Sequence, residues 1–275
     1  MCDINYMITD AKIKEKFMKQ YIVDAFTDKI FSGNPAAVCV LDNFPSEEIM
    51  QSIAAENNLS ETAFVVKEND RYHILWFTPK SEIDFCGHAT LSTAFVIFNY
   101  YAQDVDTLNL YGQIGDFTVH KSDELIRMEF PAYKLEHIEI TDIMIEALGT
   151  IPLAAYKDRD ILFVLRDEDE VRDLQPDMKL ISKLDGACIA VTAKGTEYDC
   201  ISRVFAPMFG ITEDPVTGST HCMIAPYWSR RLNKPSITAF QASKRTGILY
   251  CDCAGDKVII SGKAVLFSIN DIVGL

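Results

Sequence analysis

Short runs of apolar and β-branched residues, each bounded by polar or turn-forming residues, recur along most of the chain. Such runs are typical of β-strands. They predict strands at 21–26, 36–41, 63–67, 72–77, 107–111, 115–120, 125–130, 160–165, 188–193, 199–205, 237–242, 248–253 and 257–268. Many short strands with few helices indicate an α+β fold with curved, mainly antiparallel sheets, and they disfavour a doubly wound parallel sheet.

The remaining patterns predict four helices. The first follows Ser46, a suitable N-cap with acidic residues in the next turn, where the helix dipole favours negative charge. The second begins just after Gly87 and carries almost no charge, so we expect it to be buried on all sides. A third covers 141–148. A fourth, after Gly218, is also apolar at its start, and Pro226 is expected to kink or interrupt it.

The two halves of the chain share a sequence pattern. Trp-Phe-Thr-Pro at 76–79 corresponds to Val-Phe-Ala-Pro at 204–207. After each segment come an acidic residue, a glycine turn and small residues that lead into an apolar helix, at 84–91 and at 214–221. This repeat predicts two similar halves that face each other.

The length of 275 residues allows two domains, each with its own core. We assign 18–135 to an N-terminal lobe and 136–275 to a C-terminal lobe, and the final strand could return to the first lobe. Residues 1–17 lack a strand pattern and are assigned to an N-terminal extension. Two lobes imply a cleft between them, where a small molecule could bind.

The charge of the chain excludes some partners. A net charge of -14 repels a phosphate backbone, so we expect no nucleic-acid partner, and the same argument disfavours anionic membrane surfaces. No segment approaches the roughly 20 apolar residues of a membrane span.

The cysteines and histidines show no metal-binding spacing. The eight cysteines lie in apolar segments without paired CxxC motifs, and most are expected to be reduced core residues. Charged residues before Tyr21 interrupt any signal-peptide pattern, so we expect a reducing, cytoplasmic compartment. Because the histidines are also scattered, we predict no catalytic metal.

The glycine turns at Gly87 and Gly218 are the first candidate binding elements. A glycine turn that opens a helix leaves backbone N–H groups unpaired at the positive end of the helix dipole. One such glycine could be an ordinary turn. Two at matched positions favour a shared site in which both helix starts bind one carboxylate.

Glu61 is the first candidate for acid–base chemistry. It lies at the junction between a predicted helix and a predicted strand. The segment is too polar to belong to the hydrophobic core and is followed directly by apolar residues. A carboxylate held partly out of water there could exchange protons, although a capping role would explain the position equally well. His88 follows the first glycine turn directly and is a better candidate than His221, and Asp214 precedes the second turn.

Taken together and in order, these segments resemble the phenazine-biosynthesis-like (PhzF-like) family. The resemblance runs from about residue 18 to the C-terminus. The segments that carry it are Val23-Asp24-Ala25-Phe26, Gly33-Asn34-Pro35-Ala36-Ala37-Val38, Asn58-Leu59-Ser60-Glu61-Thr62-Ala63-Phe64, Phe77-Thr78-Pro79, Cys86-Gly87-His88-Ala89-Thr90-Leu91, Glu213-Asp214-Pro215-Val216-Thr217-Gly218-Ser219 and Gln241-Ala242-Ser243.

The resemblance implies a diaminopimelate-epimerase-like fold: two similar lobes, each a curved, mainly antiparallel sheet wrapped around a central helix, with the active site between them. It also implies a homodimer and an isomerase that works without a cofactor on a small carboxylate-bearing substrate. The family's acid–base residue falls on Glu61, and its supporting residues fall on His88, Asp214 and Ser219. Its substrate-binding turns fall on Gly87 and Gly218.

Three functions remain open from the sequence. Related epimerases use two opposed cysteines, but here Cys86 holds the first position and Pro215 the second, which favours a proton shift by Glu61 along a conjugated carboxylate. An amino-acid racemase or epimerase with Cys86 and another base is the second possibility, and a non-catalytic binding protein is the third. The segment 111–116 departs from the family pattern, so the substrate stays open.

Overall fold

The computed structural model describes residues 17–274. The assigned N-terminal extension therefore lies outside the described residues, except for Phe17. Within the described part, no helix is long and apolar enough to cross a membrane. Between residues 17 and 274, eighteen strands and six α-helices form the α+β fold that the sequence predicts, with mainly antiparallel pairing.

The first half of the chain builds eight strands and two helices. A π-helical turn at Ile97–Tyr101 extends the second helix. The elements are β1 (Met18–Ala25), β2 (Asn34–Leu41), α1 (Glu47–Asn57), β3 (Glu61–Glu68), β4 (Arg71–Phe77), β5 (Glu82–Ile83), α2 (Gly87–Val96), β6 (Thr107–Gly112), β7 (Gly115–Ser122) and β8 (Leu125–Pro131).

A connecting segment and the second half follow. A 3-10 turn at Pro207–Phe209 separates two of the strands. The elements are β9 (Glu136–Ile138), α3 (Asp142–Leu148), β10 (Ala154–Lys157), β11 (Ile161–Val164), α4 (Glu168–Asp173), α5 (Met178–Ile181), β12 (Ile189–Lys194), β13 (Cys200–Ala206), β14 (Ile211–Asp214), α6 (His221–Leu232), β15 (Ser236–Gln241), β16 (Gly247–Ala254), β17 (Lys257–Gly262) and β18 (Ala264–Ile272).

The strand pairings of the second half repeat those of the first. In the first half, β1–β2 is antiparallel, β2–β3 parallel, β3–β4 antiparallel and β4–β6 parallel, and β6, β7 and β8 form an antiparallel meander. In the second half, β10–β11 is antiparallel, β11–β12 parallel, β12–β13 antiparallel and β13–β15 parallel, and β15, β16 and β17 form an antiparallel meander. The sequence repeat therefore corresponds to a structural repeat of two lobes.

The two halves exchange their closing strands. β9, which follows the first half, pairs with β10 of the second half. β18, which follows the second half, pairs with β1 of the first half. β8 and β17 also pair with each other, so one continuous sheet connects both halves.

The central helices α2 and α6 position the candidate site. All residues of α2 except Phe95 are buried, as expected for a helix without charged residues. The first six residues of α6 are buried as well, and its two arginines lie near its C-terminal end. Because each helix is enclosed by the sheet of its own half, its N-terminal end points to the interface between the halves.

Some local predictions differ from the structure. The predicted strand at 257–268 is two strands, β17 and β18, with a change of direction at Lys263. Six short elements were not predicted, because they contain too few residues to show a periodic pattern of apolar positions: β5, β9, β10, β14, α4 and α5. Pro226 does not break α6, because the Cys222 carbonyl that loses its helical donor accepts a hydrogen bond from the Tyr133 N–H at 2.9 Å.

Candidate active site

The two glycine turns of the repeat meet at the interface between the halves. A Cβ atom on Gly87 would lie 3.9 Å from Cα of Gly218, so the two turns are in contact. A cleft of about 440 Å³ opens beside them, within the usual size of small-molecule sites. All six residues proposed from the sequence line this cleft: Glu61, Gly87, His88, Asp214, Gly218 and Ser219.

Several backbone N–H groups of these turns are free for a ligand. Within residues 17–274, the N–H groups of Gly87, His88, Gly218 and Ser219 donate no hydrogen bond to the protein. His221 and Cys222 begin α6 by donating to the carbonyls of Gly218 and Ser219. The free N–H groups lie at the positive ends of two helices, which favours an anionic ligand.

Glu61 and His88 form a buried pair in the cleft. Glu61 is the first residue of β3, and His88 is the second residue of α2. Oε2 of Glu61 lies 3.0 Å from Nε2 of His88, and the residues are 7% and 6% exposed. Burial alone would lower the pKa of His88, but the Cys86 sulfur and the Glu61 carboxylate raise it well above its ordinary value.

Asp214 is contributed by the second half. It ends β14, is buried, and accepts a hydrogen bond from the Thr217 hydroxyl. Burial raises the pKa of Asp214 to about 6, and the Glu61 carboxylate adds to this, while His88 and the hydrogen bonds from Thr217 and Asn34 oppose it. A carboxyl group with this pKa changes protonation near the pH at which most enzymes work.

Asn34 joins the titratable groups of the two halves. Its Nδ2 donates to Oδ1 of Asp214 at 2.8 Å and to the Val216 carbonyl at 3.0 Å, and it lies 3.1 Å from Nδ1 of His88. Two oxygen acceptors around one atom identify it as the amide nitrogen. Gly33, at φ +68°, makes the turn that brings Asn34 here, since a Cβ there would lie 2.2 Å from the Ala25 carbonyl oxygen.

Cys86 lies against the same histidine. Its Sγ is 3.4 Å from Nδ1 of His88, and burial, together with the charge of Glu61, raises the thiol pKa to about 11. Ligand atoms of Glu61, Cys86 and His88 all lie within 4.8 Å of one another, a set that sequence spacing did not reveal. The absence of a catalytic metal stays a prediction.

His221 is excluded as a titrating partner. It is fully buried, and its Nδ1 donates to the Thr217 carbonyl at 2.7 Å. Burial lowers the pKa of His221 to about 4, so the ring is neutral and has a structural role at the start of α6. The preference for His88 over His221 agrees with this geometry.

Comparison with known proteins identifies the family. The model for phenazine biosynthesis-like proteins matches residues 23–269. The chain belongs to this family. An uncharacterized isomerase of Pseudomonas aeruginosa is 44% identical over 245 residues, which cover 89% of this chain and 95% of that protein. The human phenazine biosynthesis-like domain-containing protein is 34% identical over 277 residues, and the match covers 90% of this chain and 96% of that protein.

Solved structures of phenazine biosynthesis-like proteins share the fold. The PhzF-family protein of Enterococcus faecalis superimposes with a TM-score of 0.92 at 47% identity and covers 94% of this chain and 99% of that one. A hydroxyproline epimerase of Agrobacterium vitis has a TM-score of 0.60 at 10% identity, which relates the fold alone. The epimerase-like fold and an enzyme of the isomerase class are therefore confirmed.

Sequence reasoning missed several residues of the phenazine biosynthesis-like site. Asn34 and Gln241 lie in the motifs that carried the resemblance, but neither was given a role. Gln241 accepts from the Thr217 N–H and donates to the Asp214 carbonyl, so it shapes the second turn. Tyr133 and Arg159 also line the cleft, and no motif marks them.

Proposed function

We propose that this protein is a cofactor-independent isomerase that moves a proton between two carbons of a small carboxylate-bearing substrate. The observation that carries the proposal is the buried Glu61–His88 pair, with 3.0 Å between Oε2 and Nε2, beside the two glycine turns. These observations support the proposal because a carboxyl group lies beside free N–H groups, which favour an anionic ligand. Unsaturated cyclic amino acids are the first substrates to test.

The anion site would lower the barrier to breaking a C–H bond next to the substrate carboxylate. When Glu61 takes the proton, the electron pair of that bond moves into the conjugated system and toward the carboxylate. Free N–H groups at Gly87 and Gly218 would stabilise the charge that develops there. Glu61 then returns the proton to another carbon of the same system, so the product is an isomer and no other reactant is consumed.

The two neighbouring groups would support Glu61 in different ways. Nε2 of His88 lies 3.0 Å from Oε2 of Glu61 without hydrogen-bond geometry, so His88 would hold the carboxylate through its charge while a proton moves. Asp214, whose pKa of about 6 permits both protonation states, can donate a hydrogen bond to the substrate from the second half. Ser219 begins the second turn and would bind the substrate without titrating.

A two-thiol racemase or epimerase is less well supported. That chemistry requires a thiolate base on one face of the reacting carbon and a protonated thiol that returns a proton on the other face. The pKa of Cys86 is raised to about 11, and Pro215 stands at the position of the second thiol. Cys188 also lines the cleft, but burial raises its pKa to about 12, so it does not supply the missing base.

The test is hydrogen exchange between substrate and solvent. A thermal-shift screen of unsaturated cyclic amino acids and other small carboxylates first provides a ligand. Exchange is then followed in D2O by NMR for the wild type, Glu61→Gln, and Glu56→Gln as a control at an exposed glutamate outside the cleft. Glu61→Gln should lose roughly 10²–10⁴-fold in exchange rate, and the control should match the wild type.

Two outcomes would contradict the proposal. Equal exchange in Glu61→Gln and wild type would remove Glu61 from the reaction. Binding without any exchange in the wild type, across the ligands found by the screen, would instead favour the non-catalytic binding protein.

A further inference from the structure

Arg159 is the cationic side chain of the cleft that the proposed reaction does not use. Among the described residues that line the cleft, it is the one lysine or arginine, whereas Glu61, Asp84 and Asp214 are acidic. Arg159 is solvent-exposed and forms no ion pair with a carboxylate within residues 17–274. An arginine carries five N–H donors, and the one side-chain hydrogen bond of Arg159 runs from Nη1 to the Tyr133 hydroxyl at 3.2 Å.

The backbone at Arg159 is fixed to the start of α6. The Arg159 carbonyl accepts from the Ala187 N–H at 2.9 Å. The neighbouring Asp160 is fully buried, and its two carboxylate oxygens accept from the Cys188 N–H at 3.1 Å and from the Thr220 hydroxyl at 2.7 Å. Thr220 directly follows Ser219, so Arg159 is held in register with the second glycine turn.

Tyr133 is fixed to the same helix from the other side. Its N–H donates to the Cys222 carbonyl, the group that Pro226 leaves without a helical donor. Its hydroxyl accepts the hydrogen bond from Arg159. The proline in α6 thus creates the acceptor that positions Tyr133, and Tyr133 in turn positions one edge of the guanidinium. The other N–H groups stay available for a ligand.

We propose that Arg159, positioned by Tyr133, binds a second acidic group of the substrate, so that the substrate is a dicarboxylate or a comparable dianion. A protein of net charge -14 repels a dianion, and a guanidinium in the cleft compensates for this locally. Arginine binds a carboxylate through two parallel hydrogen bonds, which fixes orientation as well as charge. The helix starts bind the first carboxylate, so this inference rests on the proposed function.

The test compares dicarboxylates with their monoamides. Succinate, glutarate and adipate are each paired with the acid in which one carboxylate is an amide, which keeps the shape and removes one charge. Binding is measured by isothermal titration calorimetry for the wild type, Arg159→Gln and Ser219→Ala. Arg166→Gln is the matched control, since Arg166 is also exposed but lies outside the cleft.

The wild type should bind at least one dicarboxylate about ten- to a hundredfold more tightly than its monoamide, as expected for a charge-assisted hydrogen bond. Arg159→Gln should abolish this preference and leave monoamide binding unchanged. Ser219→Ala should weaken both members of a pair by the same factor, and Arg166→Gln should behave as wild type. Unchanged denaturation midpoints would show that the variants remain folded.

Two results would overturn the inference. No dicarboxylate preference in the wild type for any of the three pairs would remove the second acidic group. Equal weakening of both members of a pair by Arg159→Gln would mean that Arg159 binds the first carboxylate. The binding measurements need no turnover. A negative binding result therefore does not contradict the role of Glu61 in proton exchange, and a negative exchange result does not contradict the preference for dicarboxylates.

Discussion

Replacing Asp214 by asparagine should stabilise the folded protein at neutral pH. The amide keeps the shape of the side chain and can still accept the hydrogen bond from Asn34 through its oxygen. The Thr217 hydroxyl, which donates to the carboxylate in the wild type, can rotate and accept from the new amide. The substitution therefore removes a buried negative charge and retains its partners.

The magnitude follows from the pKa of the group. Asp214 has an ordinary pKa of 3.8 and a pKa of about 6 in the folded protein, mainly because burial opposes its charge. Since each tenfold change in proton affinity corresponds to about 1.4 kcal/mol, the buried carboxylate costs the folded state about 3 kcal/mol above pH 6. Below pH 3.8 the carboxyl group is protonated in both states, and this cost disappears.

The sign of the pH dependence is therefore fixed. Between about pH 4 and pH 6 the folded wild type binds a proton that the unfolded chain has released, so its stability falls as the pH rises. The stability advantage of Asp214→Asn should grow over this range and level off above it. Urea denaturation of both proteins at several pH values from 4 to 8 measures the difference in the free energy of unfolding.

A control separates this effect from a general change in net charge. Asp70→Asn removes one negative charge at an exposed position and should change the free energy of unfolding only slightly, because exposed charges contribute little. If the difference between Asp214→Asn and the wild type is constant from pH 4 to pH 8, Asp214 does not titrate as argued. A variant that is less stable than the wild type at pH 8 would contradict the reasoning as well.

Three further predictions concern neighbouring residues. Asn34→Ala should raise the pKa of Asp214, because the amide N–H that favours the charged form is lost; carbon-13 NMR titration of the carboxyl group measures this, and no change would contradict it. Cys86→Ser should keep proton exchange within about threefold of the wild type, because the thiol is protonated in any case, whereas loss of exchange would support the epimerase alternative. Gly262→Ala should destabilise the fold by about 1–3 kcal/mol in urea denaturation, since a Cβ there would lie 2.4 Å from Cδ1 of the buried Phe26; an unchanged midpoint would show that the ring can move.

The sequence predicted the features of the fold and site that depend on local sequence patterns. Strand positions followed from runs of apolar residues, and the matched glycine turns at Gly87 and Gly218 indicated the two lobes. The same pattern indicated that both turns face one cleft, because each turn opens a helix that its own half must bury. The polar segment around Glu61 and the two turns marked the titratable candidates, because they interrupt apolar sequence. The choice of Glu61 as the acid–base residue came from the family resemblance, since a capping role explained its position equally well.

The remainder of the site depends on contacts between residues that are distant in the chain. In the sequence, Asn34 looked like part of a tight turn. Its amide is held by two acceptors in the other half, the Asp214 carboxylate and the Val216 carbonyl. Arg159 follows an ordinary short strand, and its position depends on Tyr133 and on α6. Neither relationship leaves a periodicity or spacing that could be recognised. The pairing of β18 with β1 is likewise set by the whole architecture.

That pairing has a consequence for how the protein is made. During synthesis the N-terminal residues leave the ribosome first, yet β1 has β2 on one side and needs β18 on the other. The first half cannot complete its sheet until β18 has been synthesised. Until then, one edge of β1 is open to aggregation and to chaperones.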